Sequence, residues 1–151
     1  MVKILGFTAN ELIDFTDEGL HLLKERCCID RDYGFLTVFD NNVLLSCQIN
    51  LCPKDKADAY FTFSVEKARR LHAHPDHYTS FQSRDVESGK YAGAIVCRLH
   101  TILSFSGLPE MADEALMIFV AFKTGWIDEN EALRLSGISG NPYIKKIIGK
   151  A

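Results

Sequence analysis

The densest group of side chains that could do chemistry lies in residues 71–78 of this 151-residue chain. That segment contains His72, His74, Asp76 and His77. Imidazole and carboxylate groups bind transition metals, and one imidazole can bind an axial face of haem iron. A further histidine lies next to Arg98 in a β-rich stretch and could face a pocket. The candidate ligand-binding residues are therefore His72, His74, His77 and His100.

The histidine segment has two interpretations. On a continuous helix, His72 and His74 stand about 200° apart and point to opposite faces. The segment is then a helix end, whose negative terminus stabilises nearby cations. If the chain instead unwinds at the proline that follows, His74, Asp76 and His77 can converge on a metal ion. Because no further ligand follows at a fixed spacing, we expect no tight structural metal.

The rest of the chain offers no recognisable catalytic frame. It contains no Gly-x-Ser-x-Gly elbow, no Walker A loop and no Gly-x-Gly-x-x-Gly fingerprint. Cys97 lies in an apolar stretch and is expected to be buried and unreactive. Asp113 and Glu114 are expected to stabilise a helix N-terminus rather than to form an acid pair. No catalytic residue is therefore assigned, and the sequence leaves an enzymatic activity open while favouring binding.

The five cysteines are too sparse for a disulfide framework. They are Cys27, Cys28, Cys47, Cys52 and Cys97. None belongs to a Cys-x-x-Cys pair, and a bond between the two adjacent ones would be strained. We expect most of them to be reduced and buried, as in a cytoplasmic protein. The N-terminal residues carry no convincing secretory signal, which also favours the cytoplasm.

Composition and charge exclude several classes of protein. A content of 47% hydrophobic and 25% charged residues is typical of a globular domain, and the length predicts a single domain over residues 1–151. The net charge of −3 argues against a general nucleic-acid binder, which presents a positive surface to phosphates. The longest run without a polar side chain, 115–122, is far shorter than the roughly 20 residues of a membrane span. We therefore expect neither a nucleic-acid nor a membrane partner.

Hydrophobic periodicity predicts a hairpin between two helices in the first half of the chain. The first helix is expected over 9–27, capped by Thr8 or Asn10, although Thr16 could begin a separate helix there. Strands over 34–40 and 43–49 flank Asn41-Asn42, an acceptable two-residue turn. The second helix is expected from Asp55 to about His74. Its apolar stripe comprises Ala57, Phe61, Val65, Ala68 and His72, and the residues outside that stripe include Lys56, Glu66, Lys67 and Arg70.

The second half of the chain predicts a loop over 78–90 and two strands within 91–106, with a turn or bulge at 98–100. A helix that begins near Pro109 and reaches Lys123 is apolar nearly all round, so it should be buried. Two short helices follow: one begins at Asp128 and ends at Gly137, and the other begins at Asn141-Pro142. Hairpins dominate over βαβ crossovers. The predicted fold is therefore α/β in the α+β sense: a mainly antiparallel sheet flanked by helices, with a helical C-terminal tail.

Several short motifs resemble the GlcG/HbpS/PduO C-terminal family over about residues 9–125. They are the strand–turn–strand pattern of 35–45, the pair Lys67-Ala68, the strand pieces Gly93-Ala-Ile95 and Ser106-Gly107, and Asp113-Glu114-Ala115. The hairpin has Asn-Asn where the family usually has glycines, and the Gly-Gly-x-Pro strand that borders the family's ligand pocket is absent. Residues 126–151 form a C-terminal helical extension outside the resemblance. The resemblance implies a profilin-like layered domain that could bind haem or a corrinoid.

From this resemblance we expect a small-molecule or tetrapyrrole-binding module without catalytic activity. The alternative is a structural or regulatory interaction domain that forms a homo-oligomer and has no ligand. Ile144, Ile147 and Ile148 form an apolar stripe that could dock on its own domain or on a second copy. A homodimer is expected because twofold assemblies are the commonest.

Overall fold

The computed structural model describes residues 3–40 and 43–149, which form helices and two antiparallel sheets. In chain order the elements are β1 (Lys3–Ile4), β2 (Phe7–Thr8), α1 (Ala9–Cys27), β3 (Gly34–Asp40), β4 (Val43–Ile49), α2 (Lys54–His72), β5 (Ala94–Val96), β6 (Ile102–Ser106), α3 (Glu110–Lys123), α4 (Glu129–Ser139) and α5 (Ile144–Ile147). Short 3-10 helices cover Ser80–Ser83, Val86–Ser88 and Arg98–His100. The predicted α+β class is confirmed. Within the described residues, no helix is long and apolar enough to cross a membrane.

The larger sheet has four antiparallel strands in the order β4-β3-β6-β5. The predicted hairpin is confirmed, because β3 and β4 pair from Gly34 opposite Ile49 to Asp40 opposite Val43. The predicted Asn41-Asn42 turn lies outside the described residues. A turn over Arg98–His100 joins β5 to β6, as expected.

Helices cover both faces of this sheet. Side chains alternate between the two faces along each strand, so each face supplies residues that pack against helices. Leu36 and Val38 of β3 point into the main core, which they share with residues of α1 and α3. Thr37 points the other way, and its hydroxyl lies 2.7 Å from that of Ser64 on α2. A smaller apolar cluster fills the α2 side and comprises Ala68, Leu71, Ala94 and Ile102.

Helix α1 runs unbroken over the predicted 9–27 range, so the alternative start at Thr16 is wrong. Thr8 and Glu11 form a reciprocal capping box at its N-terminus. Gly19 of α1 marks a close approach to α3. A Cβ at this position would lie 2.5 Å from the Leu116 Cδ1 atom, so only glycine allows this packing.

Helix α3 is buried all round, as predicted, since every residue from 112 to 121 is inaccessible to solvent. It packs against α1 on one side and against β5 and β6 on the other. Such complete burial explains why this helix has no polar face. The helix also carries Asp113 and Glu114 into the interior, where each needs polar partners.

The predicted apolar stripe of α2 is wrong in part, although its member Ala68 is fully buried. Phe61 and His72 are exposed, whereas Lys67 and Arg70 are buried. The buried side of this helix therefore contains two cations, of which Lys67 pairs with Asp113 of α3 and Arg70 pairs with Glu66 of the same helix. The helix also ends at His72, two residues before the predicted end.

The C-terminal helices differ from the prediction at their boundaries. Gly137 lies inside α4, which ends at Gly140 with a φ of 65°. Asn141 does not cap α5. Its amide instead donates to the Met111 carbonyl and the Glu114 carboxylate of α3. The last helix docks on its own chain, since Ile144 is buried against the main core.

The structure contains five free cysteines. Only Cys52 and Cys97 are buried, so the prediction that most of them would be buried is wrong. Cys28 is exposed because it occupies the left-handed C-cap of α1, with a φ of 58°, where the chain leaves the helix.

Candidate functional site: a cavity lined by histidines

Four of the chain's five histidines line one open cavity of about 840 Å³. Three segments form its walls: the end of α2 with the turn that follows, the turn between β5 and β6, and the segment that leads into α4. The lining residues are Leu71, His72, His74, Pro75, His77, Tyr78, Val96, Cys97, Arg98, Leu99, His100, Ile102, Trp126, Ile127, Asp128 and Glu131. The structure thus brings together His72, His74, His77 and His100, the candidates chosen from the sequence.

His74 and His77 form a stacked pair just beyond the end of α2. Their ring centroids are 4.6 Å apart and their planes differ by 7°. His74 Nδ1 lies 2.7 Å from the carbonyl oxygen of Arg70, whereas the buried His77 Nδ1 atom has no hydrogen-bond partner among the described residues. His72 is exposed and contacts the ring of Phe39 edge-on. The two stacked histidines therefore have fixed and different surroundings.

Arg70 anchors this wall of the cavity. Its guanidinium is buried and donates to the carbonyl oxygens of Ser80, at 2.8 Å, and Tyr91, at 2.5 Å. It also forms a 2.8 Å ion pair with Glu66, one turn earlier in α2. These bonds join the helix to the chain that follows the histidines. The Arg70 carbonyl that accepts from His74 is consequently held in a rigid part of the fold.

The second wall is the turn that carries Arg98, Leu99 and His100. Leu99 and His100 have φ values of 56° and 60°, a left-handed conformation that is uncommon for residues other than glycine. Two backbone hydrogen bonds between 97–98 and Thr101 close the turn. Burial raises the pKa of the Cys97 thiol to about 12, so this thiol stays protonated and is a poor metal ligand.

The third wall comes from the segment that leads into α4. The Trp126 indole N–H donates to the Leu5 carbonyl at 3.3 Å. Asp128 caps α4 by accepting from the Glu131 amide, and the Glu131 carboxylate pairs with Arg134. Arg134 therefore balances the charge of Glu131 at this wall, whereas Asp128 accepts only a backbone hydrogen bond there.

The alternative in which His74, Asp76 and His77 converge on a metal ion is not found among the described residues. Asp76 is exposed and does not line the cavity. Among the residues that the structure describes, no group of three or more His, Cys, Asp or Glu side chains could hold a metal ion. The unwinding near Pro75 therefore brings two imidazoles together and leaves the carboxylate outside.

A buried ion pair lies apart from this cavity and was missed by the sequence analysis. Lys67 Nζ is 2.9 Å from Asp113 Oδ2 and 2.9 Å from the Phe105 carbonyl oxygen, and both side chains are 2% exposed. The Leu108 amide donates to the other carboxylate oxygen. Burial raises the pKa of Asp113 to about 7, while Lys67 and the Leu108 amide oppose that rise. This pair connects α2 and α3 across the end of the sheet.

Gly93 is required where this pair passes the sheet. A Cβ there would lie 2.6 Å from Lys67 Nζ, and the φ of 136° also favours glycine. The signal that could have revealed the site was the resemblance, which singled out Lys67, Gly93 and Asp113 without indicating that they meet. Glu114 does not join this ion pair: burial raises its pKa, and its Oε2 atom has no hydrogen-bond partner in the described part of the chain.

Comparison with known proteins gives no relative for this chain: no protein-family model, curated protein or solved structure matches it. Tyr78, Trp126 and Glu131 also line the cavity, and they were not among the residues predicted from the sequence. No local pattern marks these residues, since only the folded chain places them beside the histidines.

Proposed function

We propose that this protein is a non-catalytic module that binds a tetrapyrrole, such as haem or a corrinoid, in the histidine-lined cavity. The observation that carries the proposal is the convergence of four of the five histidines on one cavity. The family resemblance remains a prediction and suggests the ligand class, and the histidine-lined cavity supports the proposal.

The size and lining of the cavity suit such a ligand. Its volume of about 840 Å³ lies within the roughly 300–1,000 Å³ of small-molecule pockets. Leu71, Ile102 and Trp126 give it apolar surface for the body of a flat ring. Arg98, which has no ion-pair partner among the described residues, can meet an acidic side chain of the ligand.

The donors favour a metal complex over a bare metal ion. A structural metal ion needs about four protein ligands, and the described residues offer no group of even three. A metal held in a macrocycle needs only one or two axial ligands, because the ring fills its other positions. The imidazoles at the cavity can supply such a ligand. When bound, the tetrapyrrole would contribute its own axial coordination chemistry, and the protein would bind and orient it.

A titration of pure apoprotein with haem tests this proposal. Trp126 is the only tryptophan of the chain and lines the cavity, so its fluorescence should be quenched saturably as a Soret band develops. Replacing all four cavity histidines by alanine should abolish the Soret shift. His21→Ala is the matched control, because this exposed histidine lies outside the cavity. A wild-type titration without saturable quenching or a Soret shift would refute the proposal.

A second candidate function, a homo-oligomeric interaction domain, is favoured by the open edge at β4. This seven-residue strand has β3 as its only strand neighbour in the described chain, and it contains neither charge nor proline. Edge strands usually carry such features because they prevent pairing with another chain. Val43 and Leu44 are also exposed there. Light scattering after size exclusion tests this candidate: a dimer that Leu44→Lys converts to a monomer supports it, and a wild-type monomer at high concentration refutes it.

We place the protein in the cytoplasm as part of this proposal. The free cysteines support a reducing compartment, because an oxidising one would favour their pairing. Localisation of a tagged chain by fluorescence microscopy would test the assignment.

A further inference from the structure

We infer that His74 is the residue that binds the metal of the ligand, through its Nε2 atom. This inference rests on the proposed function and assigns one of four imidazoles. The other three imidazoles lack either the tautomer that leaves a lone pair for the metal or a fixed orientation.

The hydrogen bond of the His74 ring sets the tautomer of its neutral form. Its Nδ1 atom lies 2.7 Å from the Arg70 carbonyl oxygen, which can only accept, so Nδ1 carries the proton. The lone pair of the neutral ring is then on Nε2. No hydrogen bond from the described residues reaches that atom, so its lone pair is available to a ligand in the cavity that His74 lines. Histidines that bind metals commonly donate their other N–H to a backbone carbonyl in this way.

His77 has the opposite arrangement. Its Nδ1 atom is buried without a partner, and a buried N–H without an acceptor is costly. The proton of the neutral ring therefore belongs on Nε2, which makes that atom a donor towards the cavity rather than a ligand. Stacking at 4.6 Å with 7° between the planes lets His77 hold the ring of His74 in place. His77 is thus a positioning residue.

The remaining two histidines are less constrained. His72 is exposed and contacts only the edge of Phe39 among the described rings. His100 is exposed on a turn, and no hydrogen bond from the described residues holds its ring in one orientation. A metal ligand whose orientation is fixed loses less freedom on binding. This difference again favours His74.

Comparison of protoporphyrin IX with its iron complex separates the metal bond from the fit of the ring. In the wild type, the iron complex should bind more tightly than the metal-free ring, with the ratio read from quenching of Trp126. His74→Ala should lower that ratio by about tenfold or more and leave the affinity for the metal-free ring unchanged. Added imidazole should then restore the wild-type Soret position. His74→Gln provides a second variant, because its amide can still donate to the Arg70 carbonyl.

Two matched variants complete the test. His21→Ala removes an exposed imidazole that lies outside the cavity and should keep the wild-type affinity ratio. His77→Phe keeps a ring that can stack on His74, so this variant should also keep the wild-type affinity ratio. A wild-type affinity ratio and a wild-type Soret position in both His74 variants would overturn the inference. Loss of the ratio and of the Soret position in His100→Ala, and not in the His74 variants, would overturn it as well. If wild type binds the metal-free ring and shows no preference for the iron complex, the role of His74 is refuted, while the cavity remains the proposed binding site. Failure to bind either compound refutes the proposed function itself.

Discussion

Removing the ammonium group of Lys67 should destabilise the fold strongly. Lys67→Met keeps most of the side-chain length but deletes the group that lies 2.9 Å from both Asp113 Oδ2 and the Phe105 carbonyl. The Asp113 carboxylate would keep only its bond from the Leu108 amide, in a site that is 2% exposed. It would then either remain charged without a counter-ion or take up a proton.

The size of the effect follows from this burial. Breaking a buried pair by removing one partner costs about 3–5 kcal/mol, because the other charge is left uncompensated. That is a large part of the roughly 5–15 kcal/mol that stabilises a typical domain. The exposed pair of Lys24 and Asp32, with N and O atoms 3.9 Å apart, is the matched control. Lys24→Met should cost less than about 1 kcal/mol.

Urea unfolding monitored by circular dichroism at pH 7 measures both free energies. A double variant, Lys67→Met with Asp113→Asn, removes both charges and should be at least about 1 kcal/mol more stable than Lys67→Met alone. The reasoning fails if Lys67→Met costs no more than Lys24→Met. It also fails if the double variant is as unstable as the sum of its single variants, because the two groups would then be independent.

Three further predictions concern the core, pH and thiol reactivity. Phe119→Ala should cost about 3–5 kcal/mol in chemical denaturation because this ring is 2% exposed, and a loss below about 1 kcal/mol would contradict the assigned core. Burial raises the pKa of Glu114 above its usual 4.5, so the folded state holds this proton longer than the unfolded state. The stabilisation that comes from this raised pKa is complete below pH 4.5 and is lost as the pH rises through the folded-state pKa. Unfolding measured at several pH values should therefore show wild type losing stability relative to Glu114→Gln as the pH rises. A stability difference that does not change with pH would refute this prediction. A thiol reagent should label native protein rapidly at exposed Cys28 and not at buried Cys97, and rapid labelling that persists in Cys28→Ser would show that another thiol is accessible.

The elements that sequence patterns predicted well are those whose signal is local. The hairpin of β3 and β4 and the apolar helix α3 follow from residues that are neighbours in the chain. The stripe of α2 could not be predicted in this way, because periodicity identifies apolar side chains and the buried side of this helix includes Lys67 and Arg70. Their burial depends on partners such as Asp113 and the Tyr91 carbonyl, which are more than 20 residues away.

The candidate site was predictable only in part for the same reason. Three histidines stood out because they lie within six residues of one another, and His100 because it lies beside Arg98 in a β-rich stretch. That all four meet depends on how β5 and β6 pack beside α2. Trp126 gave no signal, since its position at the cavity is set by the turn between α3 and α4 and by a bond to Leu5.

The bond from the Trp126 indole to the Leu5 carbonyl has a consequence for the order in which the cavity forms during synthesis. The two residues are separated by 121 positions, and the ring of Phe7 also contacts Trp126 edge-on. A growing chain that has reached β6 already contains the four histidines but lacks the third wall. Leu5 and Phe7 cannot make their contacts with Trp126 until that residue has left the ribosome. The cavity is therefore completed late, at a stage when all four strands of the larger sheet have already been synthesised.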